Sequence, residues 1–326
     1  MLPGGQILER QVYGTSLEGN LLGDSPRREV LIYLPPSYQR APRRRFPVVY
    51  LLHSYGAGPR SWTGENGYEG MDIRTVVDSL VAAGAIEEMI VVMPNAQNRL
   101  RGSWYANSPA TGNWEDFLAR DLVAYVDSTY RTIAERGARG IAGQSMGAYG
   151  ALRLALRRPD VFGAAFVMSS PHISNPNPFG ERAFTAAMRV PDGAALDTAP
   201  VPAVLMLSKA AAFAPDPGNP PFFGALPYTW RDGRLEQVEQ VWQRWMQSTL
   251  LALVSEARSA SSPIRLWLEV GDRDGIRSDM EHLSRTLLAA GVGHTFRIFP
   301  GGHVAGVRAR FETTVFQFFS AAFRRG

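Results

Sequence analysis

The stretch Gly143-Gln144-Ser145-Met146-Gly147 reads G-x-S-x-G, the pattern of a sharp turn from a strand into a helix with a serine at its tip. Backbone crowding at such a turn favours glycine on either side. The helix that follows directs its free N–H groups at whatever the serine attacks. The motif is short, so its neighbours decide. Residues 139–142 form a short candidate strand, and residues 148–158 are rich in Ala, Leu and Arg, favour helix and stop at Pro159. Strand, turn, serine and helix thus follow in the order a nucleophile elbow requires.

Outward from the elbow, apolar runs alternate with helical patterns. Residues 6–13 and 28–34 are β-favouring, and the turn-rich stretch 14–25 between them suggests an antiparallel entry to a sheet. Residues 47–53 (P-V-V-Y-L-L-H) are almost continuously apolar, as suits a central strand covered on both faces. Further strands are expected at 86–93, 162–168, 264–270 and 294–299, and helices at 71–83, 115–130, 278–290 and 304–323. Residues 54–70 and 95–113 read as loops. Between 169 and 262 the alternation stops; proline-rich patches and aromatics take over, with helical potential at 196–213 and 235–257. The expectation is one α/β domain over 1–326. It has a mostly parallel central sheet, helices on both faces, and a cap- or lid-like insertion at 169–262 after the sixth strand. In such sheets the chemistry lies beyond the carboxyl ends of the strands.

Composition narrows the function. A chain of 326 residues buries a sizeable core. Of its 34 basic residues only Lys209 is lysine; no basic stripe with interleaved aromatics appears, and Arg43-Arg44-Arg45 is short, so nucleic-acid binding is not expected. The absence of cysteine excludes disulfides, thiolate metal sites and a cysteine nucleophile. No segment approaches the ~18 consecutive apolar residues of a membrane span. Residues 1–13 lack an apolar run of signal-peptide length. A cytoplasmic protein is the simplest expectation, and an exported one with its leader removed the alternative.

A serine hydroxyl is a weak nucleophile at neutral pH and needs a base, usually histidine, which in turn needs an orienting carboxylate. Of five histidines, His303 in Pro300-Gly301-Gly302-His303 follows the last strand and precedes the last helix, and flanking glycines let that loop fold back toward the serine. His53 ends an early strand and is expected to shape the adjacent loop. His172 follows the sixth strand, where it could touch a pocket; His282 and His294 are expected to be structural or surface residues. The turn Gly271-Asp272-Arg273-Asp274-Gly275 supplies two aspartates. Asp274 lies deeper in the turn and is preferred over Asp272, the ordinary role of either being a turn or cap residue. The order Ser145, Asp274, His303 is that of α/β-hydrolases. Oxyanion donors are expected at the backbone N–H of Met146 and, after the strand ending at His53, of Tyr55, with Ser54 as runner-up.

The chain resembles the esterase family of α/β-hydrolases that includes esterase D, S-formylglutathione hydrolase, feruloyl esterases and the antigen 85 mycolyltransferases. The stretches that carry the resemblance are 30–38, 47–53, Gly102-Ser103-Trp104-Tyr105 with Asn107-Ser108, 140–150, 158–162, the 271–274 turn and Gly301-Gly302-His303. The resemblance puts the triad on Ser145, Asp274 and His303, and its G-x-x-D turn favours Asp274. The family's His-Gly oxyanion loop reads His53-Ser54 here, and Ser-Met-Gly-Gly reads Ser145-Met146-Gly147-Ala148. What it implies is a serine carboxylic ester hydrolase acting through an acyl-enzyme on short-to-medium acyl or aryl esters, without metal or organic cofactor. Ser54, Trp104, Trp114, His172, Phe222, Phe223 and Trp230 are candidates to contact substrate, although each aromatic is as readily ordinary packing. An acyltransferase on the same triad, or a non-catalytic ligand-binding protein on this fold, are the alternatives.

Overall fold

The computed structural model describes residues 4–65, 67–257 and 264–324. Eight strands form one sheet: β1 (Gln6–Tyr13), β2 (Arg27–Leu34), β3 (Val48–Leu52), β4 (Ile90–Pro94), β5 (Arg139–Gln144), β6 (Ala164–Met168), β7 (Arg265–Gly271) and β8 (Thr295–Phe299). Their spatial order is β1-β2-β4-β3-β5-β6-β7-β8. β2 runs antiparallel to both its neighbours, and every pair from β4 to β8 is parallel.

All five β3 side chains are buried, and they divide by parity. Val48, Tyr50 and Leu52 join one hydrophobic cluster, while Val49 and Leu51 join another on the opposite face. β2 and β4 divide the same way. This two-sided burial is why their sequences read as continuous apolar runs rather than as alternation. Each such side chain stabilises the fold by roughly 1.5–3 kcal/mol, so the centre of the sheet is a stiff base for loops at its carboxyl edge.

Several boundaries differ from the sequence expectation. The strand expected from 86 begins at Ile90, because Glu88 turns back to accept hydrogen bonds from the Ser37 backbone and hydroxyl and to pair with Arg44. The final helix begins at Val307, after Gly306 at φ 91°. The helix expected at 196–213 is a 3-10 turn, Ala194–Asp197, then a helix, Val201–Phe213, separated by Pro200. The helix expected at 235–257 starts instead as a strand. Tyr228–Arg231 pairs with Arg234–Gln237 across an Asp232-Gly233 turn with φ of 50° and 73°, the tight hairpin geometry that Asp-Gly favours. Helices Glu239–Gln247 and Leu250–Ala257 follow. The expected end of the inserted segment, 258–262, lies outside the described residues. Much of that segment packs as a third hydrophobic cluster around Phe184, Val204, Leu207 and Trp245, which also takes in Leu22, Leu100 and Ala110. Among the described residues no helix is long and apolar enough to cross a membrane.

Candidate active site

β5 ends at Gln144 and the next helix, α1 (Met146–Arg157), begins after a single intervening residue. Ser145 makes the corner alone, with φ 55° and ψ −122°, a conformation costly for a residue with a Cβ and one that clusters at functional sites. The flanking glycines are needed for close approach. A Cβ on Gly143 would lie 2.2 Å from the Gly147 carbonyl carbon, and one on Gly147 would lie 2.1 Å from the Leu52 carbonyl oxygen. The start of α1 is therefore pressed against the end of β3, and Ser145 stands beside the loop that β3 feeds.

The Ser145 Oγ lies 2.9 Å from His303 Nε2, and His303 Nδ1 lies 3.0 and 3.2 Å from the two Asp274 oxygens. The Asp274 carboxylate is almost fully covered, whereas the imidazole is half exposed. Burial raises the Asp274 pKa, but the hydrogen bond and charge of His303 outweigh it and hold the carboxyl below its ordinary range. The Ile276 N–H also donates to it. Asp272 does something else: its Oδ1 accepts the Gly301 N–H at 2.9 Å, while its own N–H donates to Phe299 and the Arg273 N–H to Gly301. It braces the loop that carries His303.

Beyond β3, His53 is wholly buried. Its Nε2 accepts the Ala96 N–H at 2.8 Å, so Nδ1 carries the proton and donates to the Ser54 carbonyl, also at 2.8 Å. Desolvation lowers its pKa to about 4. Tyr105 donates its hydroxyl to the His53 carbonyl. These bonds fix the turn that presents the Tyr55 backbone. Among the described residues neither the Tyr55 nor the Met146 N–H donates to any protein group.

A cavity of about 420 Å³ opens at Ser145. Ser54, Tyr55, Tyr68, Gln144, His303 and Val304 line it, with Ala57, Ser61 and Gly67. Of the candidate contact residues, Ser54 lines this cavity and the others do not. Trp104 is buried behind Tyr55, its ring 6.1 Å from the tyrosine ring and its Nε1 donating to Ser208. Trp114 sits in the core and donates to the Thr111 carbonyl. His172 stacks on Phe213 at 4.6 Å and bonds Ser248; burial, with Lys209 and Arg153 nearby, pushes its pKa well below the ordinary value. Phe222 and Phe223 pack within the third hydrophobic cluster, and Trp230 is exposed on the hairpin. All but the last are large rings used to fill a core, the ordinary role of a buried aromatic. Tyr68 and Gln144 were not expected from sequence, although Gln144 is the variable position of the elbow motif itself. Among the described residues no three metal-ligating side chains converge.

A family model described as "Putative esterase" matches residues 25–315. The chain belongs to this esterase family. An esterase of Mycobacterium tuberculosis is 32% identical over 146 residues, 44% of this chain and 29% of the relative. An endo-1,4-beta-xylanase/feruloyl esterase of Xylanibacter ruminicola is 31% identical over 135 residues, 40% of this chain and 18% of the relative. The chain thus spans less than a third of the length of these curated relatives. A solved ferulic acid esterase superposes with TM-score 0.63 at 21% identity, covering 98% of this chain and 99% of that one. A Staphylococcus aureus S-formylglutathione hydrolase superposes with TM-score 0.57 at 15% identity, covering 99% of each. The chain therefore has the α/β-hydrolase fold.

Proposed function

We propose that this family member hydrolyses carboxylic esters through an acyl-enzyme formed on Ser145. The observation that carries the reading is the unbroken line of hydrogen bonds Ser145–His303–Asp274 at 2.9 and 3.0 Å, opening onto a cavity. His303 Nε2 takes the serine proton as Oγ attacks the ester carbonyl, and returns it to the leaving alcohol. Asp274, anionic and buried, holds Nδ1–H toward itself and stabilises the imidazolium. The oxyanion is received by the backbone N–H groups of Met146 and Tyr55, the first at a helix N-terminus. Water then enters the half-exposed site, His303 takes its proton as its oxygen attacks the acyl carbonyl, and collapse breaks the bond to Ser145 Oγ, which recovers the proton as the carboxylic acid departs.

The cavity volume suits short-to-medium acyl or aryl esters. Hydrolysis of p-nitrophenyl esters from acetate to laurate by wild type and Ser145→Ala tests the proposal. Turnover lost in the variant, with an acyl adduct on Ser145 detected by mass spectrometry, supports it. A folded wild type inactive on every ester overturns it, and so does a variant with full activity.

A further inference from the structure

The cavity is lined by a buried polar side chain, Gln144, whose bonds the proposed chemistry does not use. Gln144 is 1% exposed, yet its amide has partners on two loops. Nε2 donates to the His303 carbonyl, and Oε1 accepts from the Ser54 hydroxyl, with the Tyr68 hydroxyl 3.3 Å away. Ser54 and Tyr68 also bond each other. The direction of this chain is fixed by chemistry. The His303 carbonyl only accepts, so the amide must face it with nitrogen; its oxygen then faces Ser54, whose one proton is used there, and Tyr68 donates from behind. A flipped amide would set oxygen against oxygen at His303.

We propose that Gln144 is a positioning residue that sets His303 against Ser145, an inference that rests on the hydrolase reading above. The His303 ring is steered by Asp274 at Nδ1, but a ring also needs its backbone pivot held. Gly301 and Gly302, just before it, are held by Asp272 and by the Ala305 carbonyl. At His303 itself the carbonyl is held by Gln144, the residue adjacent to the nucleophile. The elbow therefore carries its own gauge for the distance to its base. The same amide holds Ser54, whose neighbour Tyr55 supplies the second oxyanion donor. One side chain thus ties nucleophile, base and oxyanion loop together. A misplacement of about 1 Å in such a site costs on the order of 10²-fold in rate.

The test compares wild type with Gln144→Leu and Gln144→Glu on p-nitrophenyl acetate. Gln144→Leu is expected to lose roughly 10- to 100-fold in kcat with KM within about twofold. In Gln144→Glu the ionised carboxylate repels the His303 carbonyl, whereas the protonated acid donates to it. The groups facing this position are His303, with Asp274 behind it, and Tyr68. The ratio of Gln144→Glu to wild-type kcat is therefore expected to rise as pH is lowered from 8 to 5. An effect of added negative charge alone would favour the protonated imidazole and make the ratio fall; a merely structural role would leave it flat. Either result overturns the proposal, as does Gln144→Leu with kcat within twofold of wild type. Should Gln144→Leu not fold, Gln144→Glu carries the test. A substrate-free readout separates this from the esterase reading. The His303 Nε2 chemical shift is expected to respond to Ser145→Ala in the wild-type background and not in Gln144→Leu. An equal response in both overturns the proposal even if no ester is ever turned over.

Discussion

Lys209, the single lysine of the chain, supports a quantitative prediction. It lies in the helix Val201–Phe213 and is 3% exposed. Its Nζ donates to the Pro176 carbonyl at 2.8 Å and stands 4.9 Å from the Trp104 ring. Among the described residues it pairs with no carboxylate. Burial without a counter-charge disfavours the ammonium, and the pKa falls from 10.5 to about 7. The sign follows. Between pH 7 and 10.5 the unfolded chain keeps a proton that the native chain has released, so stability rises with pH across this window; below pH 7 both forms are protonated and the penalty is complete. At 1.36 kcal/mol per pH unit, wild type should gain about 3 kcal/mol between pH 7 and pH 9.5 relative to Lys209→Met, in which nothing titrates at this position. Urea unfolding of both proteins at the two pH values measures the difference, and contributions common to both cancel. Biosynthetic ¹³C-lysine labelling adds a direct reading, because one Cε resonance reports one residue; it should titrate near neutrality. A stability difference that stays constant with pH, or a resonance titrating near 10.5, refutes the argument.

The remaining predictions concern the site and its supports. Asp274→Asn is expected to lower kcat about 10⁴-fold by losing the imidazolium partner, whereas Asp272→Asn, which keeps an acceptor for the Gly301 N–H, should cost less than tenfold; parallel esterase kinetics check both. His53, neutral when folded with a pKa near 4, gains a proton more readily when unfolded. Its contribution of up to about 3 kcal/mol should therefore be lost as pH falls from about 6.5 to 4, a loss absent from His53→Asn in a pH series of urea midpoints. Glu269, fully buried and paired in two bonds with the partly exposed Arg310 at 2.9 and 3.0 Å, should on change to Ala leave the Arg310 guanidinium and the Trp267 Nε1–H without their acceptor and destabilise by about 1–3 kcal/mol in thermal or urea unfolding. Gly147→Ala should not give soluble folded protein, since its methyl group meets the Leu52 carbonyl.

The central strands were legible because burial on both faces writes itself as unbroken Val, Ile and Leu. The elbow was legible because its glycines answer to backbone contact, which no other residue type allows. The order of serine, aspartate and histidine along the chain reflects the order of the strands they follow, although the hydrogen-bonded line runs Ser145–His303–Asp274. What stayed hidden has equally physical causes. The Asp232-Gly233 hairpin was masked by helix-favouring residues after it, although the Asp-Gly pair was the stronger local signal. Pro200 divided a stretch that looked continuously helical. Among the aromatics, composition does not tell a ring that faces the cavity, like Tyr68, from one behind the wall, like Trp104, because both stand near the site and both are buried. Gln144 was hidden by its motif, in which that position is open to any residue.

The Ser145 hydroxyl and the His303 imidazole are separated by 158 residues of sequence. At a synthesis rate of about 5–20 residues per second, the turn that presents Ser145 leaves the ribosome roughly eight to thirty seconds before His303 does. Throughout that interval the serine is an ordinary alcohol, since nothing nearby can take its proton. On the proposed mechanism, the hydrogen-bonded line to Ser145 is thus completed only with the last strand of the sheet.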